Sequence, residues 1–342
     1  MIVQDTTLAS AGVESRGFPK QGYPNVKNTV HLPASARDNM PEHYRNPTPG
    51  LTVYISKGSL VGLGGTAYLE KLPSGHMVKT PKPDDWDPSE DRQKRHDMRI
   101  EAQIYEKIGL HPRVPRIIEW DSETDSLTME YMENGDLTEF IRKNVLSGIL
   151  TSELRLRWAK QAAEGLQVVH AVGAVHCDVS PRNFLLDSNL DLKISDFAGS
   201  SLLGSQPSAA AGERFSAPGI DWNKTPVVED DLFGLGSLIY FIMTDKYPYE
   251  VIPSDEVGKR FERHEFPKLS HLSCGPIIKR CWERQMHTAE NVLSALDALE
   301  WQTPVLMSNR HDSSCLQIER DSDINYRVLL YSVLLLLLLL LD

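Results

Sequence analysis

The chain has 342 residues, 41% of them hydrophobic and 24% charged. That content can bury the core of one large two-lobed domain or about two domains, and it excludes a short stapled scaffold and wholesale disorder. Asp and Glu outnumber Lys and Arg by 47 to 36, for a formal charge of -11, the wrong sign for a protein living by phosphate-backbone contacts, so no nucleic-acid partner is expected.

Residues 1–50 are rich in Pro, Ser, Asn and charge with no sustained period, the composition of an unpacked arm. From Leu51 to Met77, apolar-polar alternation in Leu51 to Ser56, Ala67 to Leu72 and His76 to Val78 surrounds a glycine cluster, and Pro73-Ser74-Gly75 supplies a turn. This predicts an antiparallel sheet. A helical pattern with Met98, Ile100, Ala102, Ile104, Tyr105 and Ile108 runs from Asp91 to Ile108, stopped by Gly109 and Pro112. Two strands follow, Arg116 to Trp120 and Ser126 to Tyr131, and a hinge is expected near Glu133-Asn134-Gly135.

Beyond Gly135 the pattern is mainly helical. Leu154, Trp158, Ala162, Leu166 and Val169 define one apolar face after a Thr151-Ser152 cap. Phe184 to Leu186 and Leu192 to Ile194 read as a short hairpin, and further helices are expected over Leu232 to Met243, Ile277 to Trp282 and Val292 to Trp301. The expected division is an arm over 1–50, a small lobe over 51–134, a larger lobe over 135–303 and a tail over 304–342. The tail ends in an apolar run of 14 residues, Val328 to Leu341, with eight consecutive leucines. As a helix the run would span about 21 Å against a hydrocarbon core of about 30 Å. It reads either as a weak membrane anchor, with Arg327 snorkelling at one end, or as a low-complexity tail outside the fold. The four cysteines fall at no metal-ligand spacing and Met1 to Lys20 is polar, which points to a reducing, cytoplasmic setting.

The densest polar group is His176-Cys177-Asp178-Val179-Ser180-Pro181-Arg182-Asn183, followed by Ser195-Asp196-Phe197-Ala198-Gly199, whose Asp196 stands 18 residues after Asp178. A carboxylate aimed at a hydroxyl, with a carboxylate and an amide oxygen able to hold a hard cation, is the equipment of phosphoryl transfer to an alcohol. Singly, each residue reads equally well as an ordinary turn or cap.

Together these words resemble the protein kinase family over about Leu51 to Trp301: H-x-D-x-x-x-x-N matches its catalytic loop and D-F-A its metal-binding D-F-G. The resemblance implies an α+β bilobal fold, with a small antiparallel-sheet lobe carrying one main helix and a larger, mainly helical lobe. It implies Asp178 as base or orienter of the substrate hydroxyl, and Asn183 and Asp196 as magnesium ligands against the phosphates of ATP. Gly62-Leu63-Gly64-Gly65-Thr66-Ala67 resembles the glycine-rich loop, with Ala67 for its last glycine, and Met77-Val78-Lys79 stands in the place of V-A-I-K. By that likeness Gly62, Gly64 and Gly65 cover the phosphates, Lys79 holds them, and Glu101 pairs with Lys79, with Glu106 as rival partner. Met129 would be the gatekeeper, and the backbone of Glu130 and Met132 would meet adenine. Asp231-Leu232-Phe233-Gly234-Leu235-Gly236 and Cys281-Trp282 resemble architectural words of the larger lobe, with Asp231 accepting backbone N–H groups of the catalytic loop.

The chain departs from the family in several words. Ala217-Pro218-Gly219 stands for A-P-E, Ala289 replaces the arginine that pairs with that glutamate, and Cys177 replaces the arginine that grips a phosphate on the following segment. That segment, Asp196 to Pro218, offers serines but no Tyr or Thr, so no phosphate-driven switch of the usual kind is expected. Gly199 is expected to supply flexibility beside Ala198. Ser180 and Gly212 do not match serine/threonine kinases, whereas Arg182 resembles the tyrosine-kinase loop, so the acceptor stays open. Three functions are compatible with these words: a protein kinase acting on a protein substrate, an ATP-binding scaffold without turnover, and a small-molecule phosphotransferase.

Overall fold

The computed structural model describes residues 28–32, 40, 45, 51–84, 87–221 and 224–299. Most of the expected arm, Trp301 and the whole 304–342 tail with its leucine run lie outside the described residues.

Strand β1 (Asn28–Leu32) pairs in parallel with β2 (Leu51–Ile55), Asn28 opposite Leu51 and Leu32 opposite Ile55. Two expectations are corrected here. A stretch of the expected arm is a strand, and Leu51 to Ser56 belongs to this separate pair rather than to the sheet around the glycine cluster. The reason is local. The glycines make a tight turn, with Gly64 N–H donating to the Ala67 carbonyl at 3.1 Å, so the strand facing Ala67 onward is the one immediately before that turn.

That strand is β3 (Ser59–Leu63), the edge of a five-stranded antiparallel sheet with β4 (Ala67–Lys71), β5 (Met77–Pro81), β6 (Ile117–Asp121) and β7 (Ser126–Met129). The order is β3-β4-β5-β7-β6. The β1–β2 pair is fastened to it by Tyr54, whose hydroxyl donates to the buried Glu70 carboxylate of β4 at 2.5 Å and whose ring lies 4.3 Å from that of Tyr68.

Helix α1 (Pro88–Ile108) begins three residues before the expected start. Asp87 caps it by accepting from the Ser89 and Glu90 amides, Pro88 sits where no N–H is needed, and Gly109 at φ +68° ends it. It buries a narrow stripe of Asp97, Met98, Glu101, Ile104 and Tyr105.

The larger lobe contains α2 (Leu137–Asn144), α3 (Ser152–Ala171), α4 (Val228–Thr244), α5 (Ser254–Glu262), α6 (Gly275–Trp282) and α7 (Ala289–Asp297). The expected cap of α3 is present, Thr151 Oγ1 accepting from Leu154 N–H at 3.2 Å, and its Trp158, Ala162, Leu166 and Val169 are fully buried. Helix α4 is apolar almost all round and runs through the core. A Cβ at Gly236 would meet the Cys281 side chain at 2.7 Å, so glycine there lets α4 and α6 close on each other, and the Trp282 indole N–H donates to Ser237 Oγ across the contact. Short strands β8 (Ala174–Val175), β9 (Phe184–Leu186), β10 (Leu192–Ile194) and β11 (Ser201–Leu202) frame the loops between α3 and α4. β9 and β10 form the expected hairpin and β8 pairs with β11. Helices α2 and α5 carry short, mixed apolar patterns that sequence periodicity did not separate from loop. The α+β architecture of small antiparallel sheet with one helix and larger helical lobe is as expected.

Candidate active site

Lys79 points from the middle of β5 to α1. Its Nζ lies 2.7 Å from Glu101 Oε2 and 2.5 Å from Asp196 Oδ1. Glu101, not the rival Glu106, is therefore the partner, on the buried stripe of α1 at 1% exposure. The Asp196 side chain is 53% exposed, so it meets the lysine while staying open to solvent. Burial pulls the Lys79 ammonium down, but the Asp196 and Glu101 carboxylates outweigh it and hold it above its usual range. The Lys79 charge holds the Asp196 carboxyl below the usual range, whereas burial raises that of Glu101.

The second half of the site is carried by the loop between β8 and β9. The Asn183 amide donates from Nδ2 to the Asp178 carbonyl at 2.8 Å and to Asp178 Oδ2 at 3.0 Å. Ser195 N–H donates to the Asn183 carbonyl at 2.9 Å, which couples the loop to the residue just before Asp196. Lys79, Asp196, Asn183 and Asp178 thus stand along one continuous chain of contacts.

Buried His176 organises this loop from beneath. Its Nε2 lies 3.0 Å from the Ser195 carbonyl and its Nδ1 3.3 Å from the Asp178 amide, so Nε2 carries the hydrogen and Nδ1 accepts. Cys177 and Asp196 both take positive φ, +67° each, backbone strain concentrated where side chains must be aimed. Asp231 at the start of α4 absorbs the amides this exposes: its carboxylate accepts from His176 N–H at 2.7 Å, from Cys177 N–H at 2.9 Å and from His170 Nε2 at 2.9 Å. That is the role the sequence words implied. Burial, with Asp231 beside it, pushes the Cys177 thiol up to about 12, and the thiol donates to the Val175 carbonyl at 3.3 Å.

Phe197 is fully buried between the lobes, its ring 4.8 Å from that of Tyr105 on α1 and 5.5 Å from His176. Gly199 differs from expectation. Its φ is not in the left-handed range, and a Cβ there would lie 2.0 Å from that of Ala209. Glycine is present for close approach, since the Gly199 carbonyl accepts from both Ser208 and Ala209 N–H. Gly219, at φ +72°, is in open space, and Ala289 is buried at the head of α7.

Gly62 lies in β3 against Leu69, Gly64 and Gly65 form the turn, and a Cβ on Gly65 would touch nothing within 4 Å, so a bulky group can approach this backbone. Met129 ends β7 and is buried, Glu130 N–H is spent on the Arg116 carbonyl at 2.9 Å, and Met132 is buried in the connection to α2. Sequence reasoning missed Asp125, in the β6–β7 turn, which receives Arg95 and Arg99 of α1. The available signal was two arginines one helical turn apart on a face that also carries Asp91.

The donor set fits a hard divalent cation. Asp196 keeps carboxylate surface open, and Asn183, having spent its NH2 on Asp178, keeps its amide oxygen as an acceptor. Among the described residues no cluster of three or more His, Cys, Asp or Glu is placed to hold a metal ion, and no helix is long and apolar enough to cross a membrane.

Comparison with known proteins agrees with this geometry. The protein kinase domain family matches residues 78–303. Ephrin type-A receptor 5 of Gallus gallus is 27% identical over 60% of this chain and 22% of its own length. Serine/threonine/tyrosine-protein kinase HT1 of Arabidopsis thaliana is 28% identical over 54% of the chain and 50% of its own length. Serine/threonine-protein kinase B of Synechocystis is 26% identical over 83% and 51%. The chain spans about half or less of the length of these relatives. The match covers most of both lobes and every residue from Lys79 to Asp231 that the contacts above bring together, and the chain belongs to the protein kinase domain family.

Proposed function

We propose that the chain is an ATP- and magnesium-dependent protein kinase transferring the γ-phosphoryl group to a protein hydroxyl, with lobes divided at 134/135. The observation that carries this reading is Lys79 closed on Glu101 and Asp196 at 2.7 and 2.5 Å while Asn183 holds Asp178. Lys79 presents its charge to the nucleotide phosphates, and Glu101 fixes the ammonium so that little side-chain entropy is lost on binding. Gly62, Gly64 and Gly65 let the loop backbone approach those phosphates, and the Met129 to Met132 stretch offers backbone to the adenine. Asp178, oriented by the Asn183 amide, accepts the proton of the acceptor hydroxyl. Asn183 and Asp196 would hold magnesium, which supplies charge neutralisation at the phosphates.

Purified chain incubated with ATP and magnesium, alone and with generic protein acceptors, is expected to gain phosphate detectable by mass spectrometry. The Asp178→Asn variant is expected to fall about 10²-fold or more. Equal labelling of the two would remove Asp178 from its role.

A second reading, a nucleotide-binding scaffold, draws on one observation: Lys79 engages Asp196 Oδ1 directly, so the ammonium competes with a cation for that oxygen while the rest of the carboxylate stays open. Nucleotide binding without transfer to any acceptor would favour it. A small-molecule phosphotransferase is disfavoured by the packed words of the larger lobe, Asp231 of α4 accepting from the loop that bears Asp178 and Cys281-Trp282 packed against α4. The acceptor class, Ser/Thr or Tyr, would be reported by the site of self-modification.

A further inference from the structure

Helix α1 carries Glu101, and the site exists only while that helix lies against the sheet. Its buried stripe is mixed: Met98, Ile104 and Tyr105 are the fully buried apolar side chains, Ile100, Ala102 and Ile108 pack part-buried against the core, and Asp97 and Glu101 are charged. The segment after Asp196 packs Phe197 on Tyr105 of α1, but it lacks an arginine-held phosphate that would add to this support. Cys177 stands where a phosphate-gripping arginine would be, and the segment has no Tyr or Thr.

The polar side of α1 supplies another attachment. Asp125, in the turn joining β6 to β7, is 2% exposed, yet its carboxylate is the meeting point of two arginines. Arg99 Nε donates to Oδ1 at 2.8 Å and Arg99 Nη2 to Oδ2 at 3.0 Å, a bidentate fork, and Arg95 Nη1 reaches Oδ2 at 3.4 Å. Bidentate guanidinium-carboxylate pairs fix orientation as well as distance. Arg99 is two residues from Glu101, and Asp125 is two residues from Leu127, which pairs with Lys79 across the β5–β7 register. The fork therefore ties the helix bearing one member of the Lys79–Glu101 pair to the strand beside the other. Arg95 is itself braced by Asp91 at 2.9 Å, and Lys94 on the same helix reaches Asp84 at 3.1 Å.

We propose that Asp125 is a positioning residue, clasping Arg95 and Arg99 so that α1 holds Glu101 on Lys79 without a phosphate on the segment after Asp196. The consequence for nucleotide affinity rests on the phosphotransfer reading above. The docking of α1 does not. A helix that leaves the sheet part of the time lowers affinity by the fraction of chains in which the site is complete.

Asp125→Asn is a clean probe. The residue takes φ +53°, which Asn tolerates as well as Asp, so the turn is kept while the charge goes. Both arginines reach solvent and are not stranded. Two readouts are made on the full chain. In hydrogen exchange followed by mass spectrometry, amides across residues 98–104 are expected to exchange about tenfold faster in Asp125→Asn, with β4 and β5 unchanged. Affinity for a non-hydrolysable ATP analogue with magnesium is expected to weaken about tenfold, and Arg99→Gln combined with Asp125→Asn to be no worse than Asp125→Asn alone, as partners in one contact behave. Unchanged exchange in α1 overturns the clasp. Faster exchange with unchanged affinity overturns its role in positioning Glu101. A wild-type chain that does not bind the analogue removes the phosphotransfer reading, and the exchange readout still decides the clasp.

Discussion

The Asp231 carboxylate of α4 accepts the Cys177 amide at 2.9 Å across 54 residues of sequence, at a point where Cys177 holds a positive φ. With the His176 amide and His170 on the same carboxylate, a helix terminus in the larger lobe sets the path of the loop that bears Asp178. Asp231→Asn keeps the shape and removes an acceptor, placing an NH2 group against an N–H donor. An unmade buried hydrogen bond costs about 1–3 kcal/mol. The expected outcome is an unfolding free energy lower by that amount, read from urea melts, with phosphate transfer reduced even at temperatures where the variant is fully folded. A variant with wild-type transfer and stability would mean that the loop holds its path without α4.

Removal of the lysine should convert its carboxylate partner into a pH-dependent liability. In Lys79→Met the buried Glu101 loses its cation and keeps only the Phe197 backbone N–H against burial, so a carboxyl that is already raised goes up further. A raised folded-state value means the native chain binds more protons than the unfolded one above the unfolded Glu value of about 4.3, so stability falls as pH rises through that interval. The variant is expected to lie near wild type at about pH 5 and to be weaker by about 3–5 kcal/mol at the alkaline end, the cost of breaking a buried pair from one side. Urea melts at the two pH values measure this. A gap of the same size at both would show that Glu101 is not stranded.

Gly199→Ala tests whether the segment after Asp196 must pack tightly. The added methyl would overlap Ala209 Cβ and approach its backbone nitrogen to 2.8 Å. Backbone cannot yield as a side-chain tip does, and overpacking costs about 1–3 kcal/mol. The expected signature is faster proteolysis within residues 200–212 and reduced transfer, partly restored by Ala209→Gly, which removes the opposing methyl. No rescue by the second change would place the strain elsewhere.

The short-range words carried much of the site. Lys79 sits in a β-branched and apolar run, Asp178 and Asn183 share one loop, and both readings needed no tertiary information. What sequence could not supply were contacts between distant polar residues. Asp125 looks like an ordinary turn acid until two arginines 26 and 30 residues earlier arrive on it. Gly199 reads as a flexible joint because a neighbour ten residues on, Ala209, is invisible in a local window. Leu51 to Ile55 alternates as any half-buried strand does, and alternation does not say which edge a strand will join.

The order β3-β4-β5-β7-β6 has a practical corollary for anyone dissecting this chain. The span matching the kinase domain begins at residue 78, inside β5 and one position before Lys79. A fragment cut there would leave the central ribbon with a raw, hydrogen-bond-hungry margin in place of its two outer neighbours, a template for sticking to other copies and precipitating.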